Sequence, residues 1–448
     1  MHVLYVHQNY PAQFGHIARH LTQRLKWDCT FATKADVGSV NDGVRKVIYR
    51  VAGGATDRNH FCGRTFENAV WHCDGVYKAL KSRLDIKPDL IVGHSGFGST
   101  LFLRELYPNT PIVNFFEYYY HPHGENSDMD FRRDLPWTAS DMTYLRSRCR
   151  NAMILLDMQN CDGAYTPTLF QKSRFPTEYF SKLRVIFDGV DRQVYHSFHD
   201  ELRPPLSRRG VRHVAGVEIS PTTRVVTYVS RGFESMRGFD IFMKAAKLIY
   251  QQFPDVKFIV AGEDKIAYGG DAQHTSGKTF KQWVLAKDEY DMDKFAFVGR
   301  LSTGDLALLL ASTDLHIYLT VPFVLSWSMM DAMSCGAVVL ASATPPVLEM
   351  IQDGRNGLLA DFFSPEQFAE KALGVLKDPD AARPLGQAAK ATIADRYSLD
   401  AVLPAMIRMY EDAASGNIRP APSEDPLLIL PRQAATSARP DAKSPFFG

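Results

Sequence analysis

The chain has 448 residues, with 51 Lys or Arg against 50 Asp or Glu, so its formal net charge is +1. This balance argues against a nucleic-acid binder, which needs a basic excess, and 45% apolar with 23% charged residues excludes wholesale disorder. No run approaches the roughly 18 apolar residues of a membrane-spanning helix, and the first residues do not resemble a secretory signal. Six scattered cysteines without a CxxC pair predict reduced, mostly buried thiols. We therefore expect a cytoplasmic protein of two or three domains.

The first part of the chain alternates between strand and helix patterns. An apolar run at 2–7 precedes a helix candidate at 11–26, in which apolar residues recur every three or four positions and predict one buried stripe: Phe14, Ile17, Ala18, Leu21 and Leu25. Short apolar strands and longer helices then alternate. The strands are predicted at 29–33, 46–51, 90–92, 112–116, 163–166 and 184–187, and the helices at 66–84 and 138–159. Such an order indicates a parallel sheet covered on both faces.

A break at 187–191 and a polar stretch to about 221 separate this part from a second alternation of the same kind. Its strands are predicted at 225–229, 256–261, 295–298, 315–319, 338–341 and 358–360, and its helices at 239–252 and 305–311. We therefore predict an α/β protein with two Rossmann-like domains, at 1–188 and 189–398, facing a central cleft. A helix at 399–415 is expected to cross back to the first domain, and the Pro-, Ala- and Ser-rich segment 416–448 is expected to be a flexible tail.

Two arginines follow the first strand of the second domain, in the sequence SRGFESMRGF at 230–239. Glycines let the backbone approach a ligand, a helix N-terminus offers free N–H groups, and each guanidinium can hold two phosphate oxygens. Arg231 and Arg237 therefore predict a phosphate site at this strand-to-helix turn. The alternative is a solvent-exposed turn with ordinary arginines.

A second segment, LTVPFVLSWSMMDAMSCG at 319–336, leads from a strand through a proline-containing turn into a short helix. Free N–H groups at that helix start could hold a diphosphate, and Asp331 could accept hydrogen bonds from sugar hydroxyls. The alternative is a buried helix behind a loop.

Together these segments resemble the retaining glycosyltransferases of family 4, which have the two-domain GT-B fold, over about residues 1–413. MSCGAVV at 333–339 is similar to the family's EAMACGxPVV run, and TPPVLEMIQDGRNGLL at 344–359 is similar to GGVPEIVxDGxNGLLV. VIFDGVD at 185–191 resembles the VIPNGVD of the domain junction, and HQNYPAQF at 7–14 resembles the first loop of one bacterial branch. Each motif alone is a weak indication, but four of them in the order found in the family make a strong one.

The resemblance implies a nucleoside-diphosphate-sugar donor bound mainly by the second domain, transfer with retention, and no metal or other cofactor. Arg231 matches the diphosphate-binding arginine, and Arg237 stands one position later than the family's lysine. Asp331 matches the second acid of the E-x7-E motif, which holds the donor ribose. Donor-binding positions implied as well are the GxG-like loop and the turn before the helix: Glu263, Phe323, Val324, Leu325 and Ser326. Glu263 has the alternative of a plain polar turn.

The chain departs from the family pattern at two places. Counting back from Asp331 puts Phe323 where the first acid of the motif is expected, in a PFVLSWS variant that resembles the habit of one bacterial branch. In the first domain, Glu117 follows a strand where many members have His. We predict that Glu117 takes over as a general base or stabilises charge at the anomeric carbon. The alternative is that Glu117 caps a helix or pairs with Arg132 or Arg133.

His94 ends another strand of the first domain and is the second predicted catalytic residue. It resembles the cleft-facing His of many relatives, with a loop-bonded His as the alternative.

The leading functional prediction is a retaining, metal-independent glycosyltransferase acting on a sugar, glycolipid or other hydroxyl acceptor in bacterial surface glycan, glycolipid or polysaccharide synthesis. The alternative is a catalytically weakened sugar-nucleotide-binding protein or a partner subunit, and an epimerase fits less well. Two sets of basic residues could form a face for peripheral contact with the inner side of a membrane, with a solvated face as the alternative: Arg19, Arg24 and Lys26, and Arg146, Arg148 and Arg150.

Overall fold

The structure is a computed structural model and describes residues 1–34, 42–97, 100–124, 127–137, 139–197 and 202–422. Within these ranges the chain forms two parallel sheets, one in each half. Most of the predicted flexible tail, 423–448, lies outside the described residues. The two-domain α/β prediction is confirmed.

The first sheet has seven strands in the order β3-β2-β1-β4-β5-β6-β7, all parallel. These strands are β1 His2–Val6, β2 Asp28–Thr33, β3 Arg45–Ile48, β4 Leu90–His94, β5 Ile112–Phe115, β6 Gly163–Thr166 and β7 Leu183–Val185. The helices are α1 Gly15–Leu25, α2 Arg64–Lys81, α3 Asp141–Asn160 and α4 Leu169–Ser173. The strand order reverses direction between β1 and β4, which is where open parallel sheets bind ligands.

The second sheet has six parallel strands in the order β12-β11-β10-β13-β14-β15. These are β10 Arg224–Gly232, β11 Val256–Glu263, β12 Phe295–Gly299, β13 Leu315–Tyr318, β14 Val339–Ser342 and β15 Leu358–Ala360. Its helices are α5 Phe239–Gln252, α6 Phe280–Leu285, α7 Thr303–Ser312, α8 Trp327–Ser334, α9 Pro345–Leu348, α10 Pro365–Lys377 and α11 Arg383–Thr392. A π-helical turn, Ile393–Tyr397, leads from α11 into α12, Leu399–Ala414.

One local feature was not predicted, and one local prediction was wrong. The polar stretch before the second domain contains an antiparallel hairpin, β8 Arg212–Val214 and β9 Val217–Ile219, because Val214 and Ile219 pack under the second sheet. The buried stripe of α1 ends one turn early, since Leu25 is 42% exposed while Ile17, Ala18 and Leu21 are buried.

The crossing helix α12 returns to the first domain as predicted. Tyr410 is fully buried against the first sheet, with its ring centroid 6.4 Å from that of Tyr5. Met406 belongs to the same apolar cluster, which runs on into the second domain through Met330. This shared core holds the carboxyl ends of the two sheets on opposite sides of one cleft.

Five of the six cysteines are buried and none is disulfide-bonded, so the predicted state of the thiols fits the structure; Cys149 is exposed.

Candidate active site

Arg231 and Arg237 lie in the connection between β10 and α5, at the carboxyl edge of the second sheet. Arg231 is the penultimate residue of β10; its side chain is exposed and makes no hydrogen bond or ion pair with the described residues. Arg237 ends a 3-10 turn and is 5% exposed. Its Nη1 donates to Thr320 Oγ1 at 2.7 Å and to the Val324 carbonyl at 3.1 Å, but the described residues supply no carboxylate for it. Two arginines that form no ion pair with the described residues suit this edge of the sheet to an anionic ligand.

The backbone around Arg237 is held by two structural features. Gly238 begins α5 with φ of 60°, and a Cβ there would lie 2.8 Å from Leu319, so glycine alone suits this turn. One oxygen of the Glu234 carboxylate accepts the N–H groups of Ala267, Tyr268 and Gly269 at 2.9–3.0 Å. These bonds bring the Tyr268 ring to 5.2 Å from the Arg237 guanidinium, close enough for a cation–π contact.

The 323–326 turn lines the same edge but does not offer all the groups that were predicted. Phe323 is buried with its ring centroid 4.7 Å from that of Tyr118, and Leu325 is buried in the shared core. The Ser326 N–H is already bonded to the Tyr318 hydroxyl at 2.9 Å, and the Ser326 side chain caps α8. The expectation of a free Ser326 N–H is therefore wrong, and a role of Val324 in donor binding stays a prediction; its carbonyl accepts a hydrogen bond from Arg237.

Asp331 lies inside α8 and is 7% exposed. Burial raises the pKa of its carboxyl well above the usual value, and a hydrogen bond from Tyr195 opposes this rise. Its partner thus comes from the segment that joins the domains. A role in holding ribose stays a prediction.

Glu117 follows β5 and approaches the two arginines from the first domain. Its side chain makes no hydrogen bond or ion pair with the described residues. Burial raises the pKa of Glu117 to about 7, and the charges of Arg237 and Arg231 oppose the rise. The alternative pairing is wrong, because Arg132 binds Asp134 and Asp240 while Arg133 Nε donates to the Asp130 carbonyl. A carboxyl poised near neutrality beside two cations suits acid–base or charge-stabilising chemistry.

His94 ends β4 and is 1% exposed. Its Nδ1 lies 2.9 Å from the Ser95 carbonyl, and its ring packs among Phe97, Phe115 and His7. Burial, followed by the neighbouring His7, lowers its pKa well below the usual value. This lowering favours the neutral form of the ring. Its catalytic role stays a prediction.

Glu263 ends β11, is exposed and pairs with Lys265 at 2.5 Å. Hydrogen bonding to Lys265 lowers its pKa, with a smaller contribution from Arg231. It lies near the rim of the arginine site rather than inside it.

The sequence reasoning missed the residues that close the cleft. Asp188, at the end of the quoted VIFD run, accepts a hydrogen bond from Trp327 Nε1 at 3.0 Å, and burial raises its pKa to about 7. The connection between β5 and α3 forms a strap, defined as residues 118–124 and 127–137, that reaches the second domain. There Arg132 Nη2 meets Asp240 at 2.6 Å, and Trp137 stacks on His274 at 5.1 Å. Only the abundance of aromatic and charged residues in this stretch hinted at a packed role.

Basic residues that were predicted to share an exposed face do not all do so. Arg146 and Arg150 line a cavity under the strap, whereas Arg148 is exposed. Arg19 and Arg24 border a separate hollow between α1 and the start of α12. Arg146 and Arg150 therefore face the cavity, and contact of the remaining basic residues with a membrane stays a prediction.

The chain matches two glycosyltransferase families in order. Residues 25–195 match the glycosyl transferase family 4 group, and residues 213–392 match the glycosyl transferases group 1. Neither match spans half of the chain, but each half resembles glycosyltransferases. The resemblance to two-domain glycosyltransferases, which the motifs predicted, is confirmed. The assignment to a branch with the PFVLSWS variant stays a prediction.

The named relatives are distant in sequence from this chain. It is 23% identical over 231 residues to N-acetyl-alpha-D-glucosaminyl L-malate synthase of Bacillus anthracis, covering 51% of this chain and 54% of that protein. It is 23% identical over 232 residues to D-inositol 3-phosphate glycosyltransferase of Paenarthrobacter aurescens, covering 52% of each. The chain thus spans about half the length of the curated relatives it matches.

Solved structures show the same GT-B fold. Sucrose-phosphate synthase from Thermosynechococcus elongatus superimposes with a TM-score of 0.67 at 16% identity, over 93% of this chain and all of that one. Anabaena HepE superimposes with a TM-score of 0.63 at 16% identity, over 92% of this chain and all of that one.

Two features are absent from the described residues. None of their helices is both long and apolar enough to cross a membrane. Within the same ranges, no three His, Cys, Asp or Glu side chains group as metal ligands do.

Proposed function

We propose that this glycosyltransferase moves a sugar from a nucleoside-diphosphate-sugar to an acceptor hydroxyl, with retention of the anomeric configuration and without a metal ion. The observation that carries the proposal is the pair of arginines at the end of β10, which have no carboxylate partner among the described residues and face Glu117 across the cleft. Anabaena HepE has been solved in complex with UDP-glucose, which supports a nucleotide sugar as donor. Curated relatives named for L-malate and for D-inositol 3-phosphate support a small hydroxyl acceptor.

Charge explains how such a site works. As the bond between the anomeric carbon and the diphosphate oxygen breaks, the leaving group gains negative charge, which Arg231 and Arg237 neutralise in place of a metal ion. The acceptor oxygen forms its bond to the same carbon, and its proton passes to the leaving phosphate oxygen on the same face. The Glu117 carboxylate stabilises the positive charge at the anomeric carbon.

The test measures release of nucleoside diphosphate from UDP- and GDP-sugars. We expect Arg231→Gln to reduce kcat/KM by about 10- to 100-fold, since a hydrogen bond to a charged group contributes roughly 1.5–3 kcal/mol. Arg408→Gln is the matched control, because Arg408 is an exposed arginine on α12. Activity that survives in EDTA supports metal independence, and NMR of the product distinguishes retention from inversion.

Two results would contradict the proposal. Unchanged nucleotide affinity in the double variant Arg231→Gln/Arg237→Gln removes the arginines from the site. Donor binding without hydrolysis or transfer for every sugar nucleotide tried favours the other candidate, a sugar-nucleotide-binding protein or partner subunit, which the aromatic Phe323 at the first motif position supports.

A further inference from the structure

A cavity of about 600 Å³ lies between the strap, the first half of α3 and the 268–274 loop of the second domain. The strap contributes Asp128 and Trp137, α3 contributes Arg146 and Arg150, and the second domain contributes Tyr268 and His274. Both domains build this space, and no motif of the sequence pointed to it.

One wall of the cavity carries two arginines without an ion partner among the described residues. Arg146 and Arg150 are four residues apart on α3 and so share one face of the helix. Arg150 lies 3.6 Å from the centre of the Tyr120 ring and donates to its hydroxyl at 2.6 Å. Arg146 lies 4.8 Å from the centre of the Phe61 ring and donates only to Thr65, while its Nε is buried without a partner. Neither arginine forms an ion pair among the described residues, although Arg150 interacts electrostatically with Asp128.

The acidic side chains that line the cavity already accept hydrogen bonds from the protein, with one exception. Asp130 accepts from the Tyr144 hydroxyl at 2.9 Å, and Asp271 accepts from the N–H and the hydroxyl of Ser235. Asp128 differs, because its Oδ1 is buried and has no hydrogen-bond partner. Burial raises the pKa of Asp128 to about 6, with Arg150 opposing the rise. A buried acceptor without a donor is costly unless a ligand supplies one.

The cavity adjoins the transfer site. Tyr268 lines the cavity and its ring lies 5.2 Å from the Arg237 guanidinium. Tyr120, which contacts Arg150, is electrostatically coupled to both Glu117 and Asp128. A molecule in the cavity therefore sits next to the residues proposed to act on the donor sugar.

We propose that this cavity binds the acceptor, and that the acceptor is a small polyol carrying a carboxylate or phosphate group. Arg146 and Arg150 hold the anionic group, and Asp128 accepts a hydrogen bond from a hydroxyl. This assignment rests on the proposed function and adds to it the chemical class of the acceptor and the residues that select it.

The experiment compares matched neutral and anionic acceptors: glycerol, glycerate and glycerol 3-phosphate, and myo-inositol with its 1-phosphate. We expect anionic members to have a kcat/KM at least 10-fold above that of their neutral partner, and glycerate against glycerol 3-phosphate separates carboxylate from phosphate. Arg146→Gln and Arg150→Gln should each reduce the anionic-to-neutral ratio about 10-fold or more. Asp128→Asn should lower kcat/KM for both members of a pair and leave the ratio unchanged. Arg148→Gln is the matched control on the exposed face of α3.

Equal use of anionic and neutral acceptors by the unaltered protein, or an unchanged ratio in the Arg146 and Arg150 variants, overturns the inference while leaving the proposed function intact. If no acceptor is used at all, the proposed function has failed, and calorimetric binding of inositol 1-phosphate and myo-inositol then tests the cavity alone. A preference for the phosphate that is lost in Arg146→Gln supports the cavity assignment; equal or absent binding overturns it. Circular dichroism of each variant checks that the fold is retained.

Discussion

The acids on the two sides of the cleft are used differently. On the side of the second domain, Asp240 is paired with Arg132, Asp271 is bonded to Ser235, and one oxygen of Glu234 accepts three backbone N–H groups. On the side of the first domain, the Glu117 carboxylate has no hydrogen bond to the described residues and Asp128 Oδ1 is buried without one, whereas only the second oxygen of Glu234, Oε1, lacks a partner. The difference indicates that acidic side chains of the second domain stabilise the loops around the arginine site, whereas Glu117 and Asp128 of the first domain are available to bind ligands.

The largest effect should come from the structural side, at the ion pair between Arg132 and Asp240. Their side chains are 5% and 6% exposed, and Arg132 Nη1 also donates to the Ser235 carbonyl. Arg132→Met leaves Asp240 buried without its counter-ion, which should lower the free energy of unfolding by about 3–5 kcal/mol. Denaturant unfolding measures this loss.

The neighbouring residue offers a control for that measurement. Arg133→Gln should change stability by less than about 0.5 kcal/mol, because Arg133 is exposed. Replacing both partners, as Arg132→Met/Asp240→Leu, should recover part of the loss. If Arg132→Met alone costs less than 1 kcal/mol, the strap does not depend on this ion pair.

Glu117→Gln should have the opposite signature, with a large effect on activity and little on stability. If the carboxylate stabilises developing charge, its removal should reduce kcat by about 100- to 1,000-fold. Because the pKa of Glu117 is raised to about 7, the charged form grows as pH rises, so kcat should increase up to about pH 7 and then level off. Glu117→Gln should lack this limb.

Asp188 is the control for that profile, since its pKa is also raised to about 7 by burial. The Asp188→Asn variant should still show the rise of kcat up to about pH 7 if ionisation of Glu117 causes that rise. Turnover close to that of the unaltered protein in Glu117→Gln, with the fold intact, would remove this residue from the mechanism.

The sequence predicts periodic elements well and long-range partners poorly. The helix predicted at 239–252 and the strand at 163–166 have the observed bounds, because burial on one face or on both leaves a local pattern. The position of both arginines also followed from local order, since a turn after a buried strand lies at the sheet edge. Arg132 and Asp240 are 108 positions apart, and nothing periodic links them. The hydrogen bond between Tyr195 and Asp331 could not be predicted for the same reason.

Glu234→Gln should have an effect of intermediate size on stability. The amide keeps one oxygen for the N–H groups of the 267–269 loop but loses the charge that strengthens those bonds. We expect the free energy of unfolding to fall by about 1.5–3 kcal/mol. Nucleotide affinity should fall as well, because Tyr268 is then less firmly held over Arg237.

A control change on the neighbouring strand β11 separates these two effects. Lys257→Gln lies near the opposite end of β11 from the loop and should alter neither quantity by more than a small amount. If Glu234→Gln lowers stability while nucleotide affinity stays at its original value, the placement of Tyr268 does not contribute to the donor site.

The smallest effect should come from Glu349, which crosses the cleft. Its two carboxylate oxygens accept the N–H groups of Leu169 and Phe170 at 2.9 and 3.0 Å, so a residue of the second domain caps α4 of the first. Glu349→Gln keeps one acceptor and loses the charge at a helix N-terminus, which should lower the free energy of unfolding by about 1 kcal/mol. The exposed Glu366, in the first turn of α10, gives the control variant Glu366→Gln. A loss above 3 kcal/mol in Glu349→Gln would contradict this small capping contribution. A loss of activity without any loss of stability would mean that Glu349 contacts a ligand, and the contrast between the acids of the two domains would not hold.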